Sequence, residues 1–225
     1  MLPVINPLVI ETFARLHAAM AFLGTLNEGI PIVEEREDSY LDQLAKQGGW
    51  EYEEYYSEKL VLNEKFHNWI PTLAAYSAIT LLHSIVETQL HGFAEHIGDK
   101  RGVRLRVKDM AGKGVEQSAL YLQRVLSVDV KADPSWCGLQ DMGSLRNIIV
   151  HRGGKPGESG EQKRTVYQLI KKYPQAIEIR KAFGSQGQVW IGMSLCRDFA
   201  AQIDGFFERV FRATGLPNRH MMLDT

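Results

Sequence analysis

Residues 71–98 read PTLAAYSAITLLHSIVETQLHGFAEHIG, and this stretch decides the fold. Leu73, Ser77, Leu81, Ile85, Leu90, Phe93 and Ile97 recur at helical spacing. Pro71 stands where a helix should start, since its missing N–H costs nothing in the first turn. Gly98 ends the pattern. A helix this long and apolar belongs at the centre of a core. The apolar run from Ile70 to Val86 is interrupted by Thr72, Ser77, Thr80, His83 and Ser84. It therefore falls short of the roughly 18 uninterrupted residues a membrane span needs.

Working outward, the same period recurs on both sides. Trp50 to His67 reads as a helix rich in Glu and Tyr, and Ile32 to Lys46 as another that stops at Gly48-Gly49. Pro7 to Leu26 is a first helix with Val9, Phe13, Leu16, Met20 and Leu23 on one stripe. Toward the C-terminus, helices are expected over Val115–Val128, Trp136 to about Arg152, and Arg164–Lys172. The second of these is closed by Gly153-Gly154. Ala176–Phe183 and Gln188–Ile191 flank Gly184-Ser185-Gln186-Gly187 and carry the one strand signal, a β-hairpin. Ser194 then caps a helix whose inner face is Phe199, Ile203, Phe206, Phe207 and Val210. The expectation is an all-α helical bundle, a single domain over residues 1–225. Its core lies at about 70–155, its hairpin near 176–191 and its C-terminal helix at 195–214.

Composition narrows the function classes. At 225 residues and 44% hydrophobic, the chain can bury a core and is not intrinsically disordered. Its N-terminus lacks the basic region and cleavage site of a signal peptide. Cys137 and Cys196 cannot build a disulfide framework or a Cys-rich zinc site. A soluble, cytoplasmic protein with no membrane partner is expected. The net charge of -1 argues against wholesale nucleic-acid binding, so any RNA contact must use a local patch. Lys100 to Lys113 supplies one, with Arg101, Arg104 and Arg106 among its cations and Asp109 its sole acid. Such a run is either a solvated loop or a phosphate-facing surface.

Other chemistry finds little support. His83, Glu87 and His91 share one helix face, yet there is no HExxH and no partner cluster, so no metal site is expected. Glu87 reads instead as a polar group on a buried helix that needs a partner, an Arg from another helix being the natural one. There is no GxSxG elbow and no phosphate-cradling loop, and no cofactor is expected.

Leu145-Arg146-Asn147-Ile148-Ile149-Val150-His151-Arg152-Gly153-Gly154 is different. Leu139, Met142, Leu145 and Ile149 form a core-facing stripe, which leaves Gly143, Asn147 and His151 in a row on the far face. Arg146 flanks that row. One helix end thus offers a titratable base, a fixed cation and an amide. A His can take the proton from a ribose 2′-OH, and an Arg can neutralise charge developing on a phosphate. The competing reading is a helix end whose His and Arg bind the terminal carbonyls.

Arg146-Asn147-xxx-His151 resembles the R-x4–6-H motif of HEPN domains, in which a polar residue commonly follows the Arg. The resemblance covers residues 70 to 155 and includes the long helix with its internal Glu87. It implies a helical bundle that dimerises, two motifs in a shared cleft, and a metal-independent endoribonuclease of toxin–antitoxin or antiviral systems. By this resemblance Arg146 and His151 are catalytic, Asn147 orients them or the phosphate, and Glu87 holds Arg146. RNA, a second copy of the chain, and an antitoxin or regulatory protein are the implied partners, with Arg101, Arg104, Arg106 and Arg152 contacting RNA. The chain departs from many toxin members in having Gly153 where they carry a Tyr two residues after the His. The alternatives are a non-catalytic helical module that binds RNA, nucleotide or a partner protein, and a structural assembly protein.

Overall fold

The structure is a computed structural model that describes residues 6–181 and 187–216. Its helices are α1 (Pro7–Gly48), α2 (Tyr52–Glu64), α3 (Ile70–Lys100), α4 (Gly114–Leu126), α5 (Trp136–Arg152), α6 (Gly160–Lys172) and α7 (Met193–Ala213). Strands β1 (Ile177–Arg180) and β2 (Gln188–Ile191) pair antiparallel, with Ile177 opposite Ile191 and Arg180 opposite Gln188. The protein is therefore all-α with one small hairpin, as its periodicity implies. Most of the expected hairpin turn, residues 184–186, lies outside the described residues, as does Phe183.

Three features differ from the sequence reading, two of them helix boundaries. The two expected N-terminal helices are one, with Pro31 inside α1. A proline there removes one backbone bond and crowds the preceding turn. Pro31 is exposed, and polar pairs tie α1 beyond it to α2. Lys59 bonds Asp38 at 2.5 Å and Asp42 at 2.8 Å, Lys65 bonds Glu37 at 2.5 Å, and the Tyr55 hydroxyl donates to Asp42 at 2.7 Å. Pro71 likewise opens α3 without breaking the rod Tyr52–Lys100, because a π turn over Lys65–Trp69 joins α2 to α3. The Ile70 N–H reaches back to the Lys65 carbonyl. The His67 carbonyl, which a residue other than proline at position 71 would bond, accepts Arg180 Nη1 at 3.3 Å.

The inward face of α3 is the third difference. Leu73 and Leu81 are exposed, while Ala74, Ala75, Tyr76, Ala78, Ile79, Leu82 and Val86 are buried. Small residues admit neighbouring chain closely, so the Ala face goes in at this end. From Ile85 through Leu90, Phe93 and Ile97 the expected stripe is buried. The rods Pro7–Gly48 and Tyr52–Lys100 each hold an 18-residue window, of mean hydropathy 1.2 and 1.4, long and apolar enough to cross a membrane. Of these windows 33% and 44% are buried inside the protein, as core helices also are.

The chain forms two compact units. One comprises α1 up to Met20, Ile79–Arg146 and α7 from Asp198. Its core is aromatic: the Phe211 ring lies 5.9 Å from Phe13, 5.5 Å from Phe93 and 5.7 Å from Phe207. Phe207 in turn meets Phe206 edge-on at 5.3 Å. Truncating any of these rings should cost about 3–5 kcal/mol. The bidentate Arg209–Asp133 pair, at 2.7 and 2.8 Å, ties α7 to the turn before α5.

The other unit comprises Ala21–Ala78 and Asn147–Arg197. Here the end of α5 is closed by backbone. Gly153 and Gly154 both have positive φ, +57° and +80°, and the Gly154 N–H bonds the Ile148 carbonyl at 3.1 Å. The Gly154 carbonyl accepts the Val189 N–H at 2.9 Å, and the Val189 carbonyl accepts the Tyr76 hydroxyl at 2.8 Å. Burial pushes the Tyr76 phenol up to about 12, so it stays a donor. A Cβ on Gly154 would overlap that hydroxyl, whereas one on Gly153 meets nothing within 4 Å. Gly153→Ala should therefore cost only the left-handed strain, about 1 kcal/mol, and Gly154→Ala at least about 2 kcal/mol more. Urea denaturation of the two variants measures the difference, and equal losses would contradict this packing.

Candidate functional site

Helix α5 is built as its sequence implies. Leu139, Met142, Leu145 and Ile148 are buried, with Ile149 half-buried beside them. Asn147 and His151 are exposed, and Gly143 and Arg146 are half-exposed. Asn147 and His151 thus lie on the outer face of one continuous helix with Arg146 at their edge, whereas Gly143, one turn earlier, faces His83 of α3. Two of the terminal carbonyls are taken by backbone, Ile148 by Gly154 N–H and Arg152 by Lys155 N–H, both at 3.1 Å. The Arg152 guanidinium donates instead to the Pro156 carbonyl at 2.7 Å, beyond the helix.

Within the first unit, Glu87 and Arg146 converge on His83. The His83 Nδ1 is 3.6 Å from Glu87 Oε2, and a Cβ on Gly143 would touch His83 Nε2 at 3.4 Å. A larger residue at 143 would therefore press on the imidazole. Burial lowers the His83 pKa below its ordinary 6.5; the Glu87 carboxylate works the other way, and the Arg146 guanidinium lowers it further. His83 Nδ1 is buried without a hydrogen-bond partner. Glu87 also lies against the first residue of α4, where a Cβ on Gly114 would come 3.0 Å from Oε1. A carboxylate is favoured at a helix N-terminus. Glu87 is less enclosed than the sequence suggests, its side chain 44% exposed. With Thr88, His91, Gly114 and Gln117 it lines a shallow cleft of about 310 Å³. Among the described residues no three His, Cys, Asp or Glu side chains gather as a metal would require.

The basic segment is more structured than a loop. Val107–Asp109 is a turn of 3-10 helix. Arg106 pairs with Glu95 at 3.1 Å and with Asp99, and Arg101 donates to the Leu126 carbonyl at 2.5 Å. Both side chains hold the chain in place. Arg104 is exposed and makes no ion pair among the described residues, so it is the arginine of the three best placed to meet a polyanion.

A second basic feature escaped the sequence reading. Arg152, Lys155, Lys163, Tyr167 and the loop between α5 and α6 line a cleft of about 630 Å³. Only Arg152 was singled out from sequence. The cations are spread over residues 152–163 and form no run, so charge counting along the chain misses them.

No family model, curated protein or solved structure matches the chain.

The depressed His83 has a measurable consequence. Well above pH 6.5 its imidazole is neutral folded and unfolded, and it adds nothing to the pH dependence. As pH falls below 6.5, the unfolded chain takes the proton more readily, so stability drops toward and through the lowered folded pKa. His83→Gln should remove that part of the acid loss while leaving the similarly lowered His96 in place. Urea midpoints at pH 7.5 and 5.5 check this. The wild-type protein should lose more between them than the variant, and identical losses would contradict the argument.

Proposed function

We propose that the protein is a metal-independent endoribonuclease that works as a two-fold homodimer. His151 takes the proton from a ribose 2′-OH, and the 2′-oxygen attacks the adjacent phosphorus. Arg146 neutralises the charge that builds on the phosphoryl oxygens, and Asn147 orients the pair or the phosphate. The P–O5′ bond breaks, a proton returns to the departing 5′-oxygen, and a 2′,3′-cyclic phosphate remains. The observation that carries the reading is the outward row on α5. A base, an amide and a cation lie within one and a half helical turns on the side opposite a buried stripe. The backbone closure at Gly153-Gly154 supports it further, since it meets part of the demand that a capping His and Arg would otherwise serve.

The resemblance to HEPN domains in Arg146-Asn147-xxx-His151 points the same way. It suggests a cytoplasmic toxin or antiviral effector held in check by an antitoxin or regulatory protein. In a two-fold dimer both α5 rows can face one cleft, where two His151 side chains flank a single strand.

The test is purified protein with total RNA in EDTA. Wild-type protein should cut, and Arg146→Ala and His151→Ala should each cut at least about 10²-fold more slowly. His151→Ala should melt near the wild-type temperature, because His151 is exposed, and Arg146→Ala should stay folded but melt slightly lower, because Arg146 is half-buried beside His83. Folded variants that cut at the wild-type rate would overturn the assignment in favour of helix capping.

A further inference from the structure

We propose that the cleft between the α5–α6 loop and α6 is a nucleotide-binding subsite. In it Arg152, Lys155 and Lys163 receive a phosphate, and the Tyr167 ring stacks on the base. The inference deepens the ribonuclease reading, on which it rests for the identity of the polymer: it names where a strand beside His151 would lie. It stands on the cleft's own construction, inside the unit that contains Asn147–Arg197.

Three features separate this cleft from an ordinary patch of surface lysines. The first is charge without compensation. Other cations of the protein, such as Lys59, Lys65, Arg106, Lys131 and Arg209, are held by carboxylates. Arg152, Lys155 and Lys163 make no ion pair among the described residues, and Glu158 is the one acid lining the cleft. An unpaired cluster at a concave site attracts and concentrates anions.

The second is a loop that is already organised. Gly157 has φ of +95°, and a Cβ there would come 2.6 Å from Arg152 Nη1. The missing side chain therefore lets the guanidinium lie along the loop, where the Pro156 carbonyl fixes it. Gln162 Oε1 accepts the Glu158 N–H at 3.1 Å, and Ser159 Oγ accepts the Gln162 N–H at 3.2 Å, so the loop enters α6 capped. A fixed guanidinium loses less freedom when a phosphate arrives than a free one would.

The third is an exposed aromatic ring at the edge of this charge. Tyr167 is 62% exposed on α6, whose inner face is Val166 and Leu169. A ring left in water beside cations matches a ligand with both a planar base and a phosphate, and such stacking tolerates any base. An acidic peptide would use the cations but leave the ring idle.

A 2′-O-methyl oligoribonucleotide tests the proposal, because it lacks the hydroxyl that cleavage needs and so reports binding alone. Wild-type protein should bind it with an affinity that falls steeply with salt. The charge-reversed Lys155→Glu/Lys163→Glu protein should bind at least about tenfold more weakly, with a salt slope shallower by about 1.4 for two lost phosphate contacts. Tyr167→Ala should weaken binding about tenfold, and Tyr167→Phe should restore it. These side chains are exposed, so helical circular dichroism should not change. Unaltered affinity and slope in the charge-reversed protein would overturn the proposal, as would equal binding by the Ala and Phe variants of Tyr167. AMP as competitor separates the sources. Displacement means a single nucleotide fills the cleft, no displacement means a strand is needed, and either keeps a nucleotide as ligand. If Arg146→Ala and His151→Ala leave RNA cleavage intact while these binding effects appear, the catalytic assignment falls and the subsite stands.

Discussion

The hydrogen bond from the Gly154 N–H to the Ile148 carbonyl is the constraint on which the candidate site depends. It stops α5 within a turn of His151 and fixes the direction in which the chain leaves. Only glycine can hold the left-handed backbone at 154 and also admit the Tyr76 hydroxyl against it. Tyr76 and Val189 then clamp the same residue from α3 and β2. Without this closure α5 would fray at the turn that carries His151, and the loop that presents Arg152 and Lys155 would lose its starting point.

From that fixed end, two kinds of electrostatic environment follow along α5. Toward its middle, Arg146 shares a half-buried region with His83 and Glu87, where burial and the guanidinium together keep the imidazole neutral. A neutral His83 can neither repel Arg146 nor compete with it for a phosphate. Beyond the helix end the cations are exposed and lack acidic partners. The same protein thus holds Arg106 and Arg209 in ion pairs that organise the fold, and leaves Arg104, Arg152, Lys155 and Lys163 toward solvent.

Much of this was legible in the sequence. The helical period of α5 and α7 placed Leu139, Met142, Leu145, Phe199, Ile203, Phe206, Phe207 and Val210 inside, because amphipathic spacing on a single helix determines its buried face. Asn147 and His151 came out on the opposite side for the same reason. Local rules failed where distant chain intervened. Separate helices were expected over Pro7–Leu26 and Ile32–Lys46, yet Lys59 and Lys65 bridge to α1 and one helix runs through Pro31 to the expected stop at Gly48. At Pro71 the π turn and Arg180 satisfy the carbonyl that a proline leaves vacant, and nothing in residues 65–71 alone announces Arg180. The inward Ala face of α3 misled a reading based on large side chains. The cleft at Lys155, Lys163 and Tyr167 was invisible because it is assembled from a loop, a helix and a strand.

The central claim is that the protein cleaves RNA through the ribose 2′-OH beside His151. Mapping one cleavage position in EDTA and repeating the reaction with a single 2′-deoxy nucleotide on its 5′ side tests this most directly. The account predicts that cleavage at that bond is abolished while flanking sites are still cut, and that the all-ribose control is cut there to 2′,3′-cyclic phosphate and 5′-hydroxyl ends. Cleavage that continues at the deoxy position, leaving 3′-hydroxyl and 5′-phosphate ends, would contradict it.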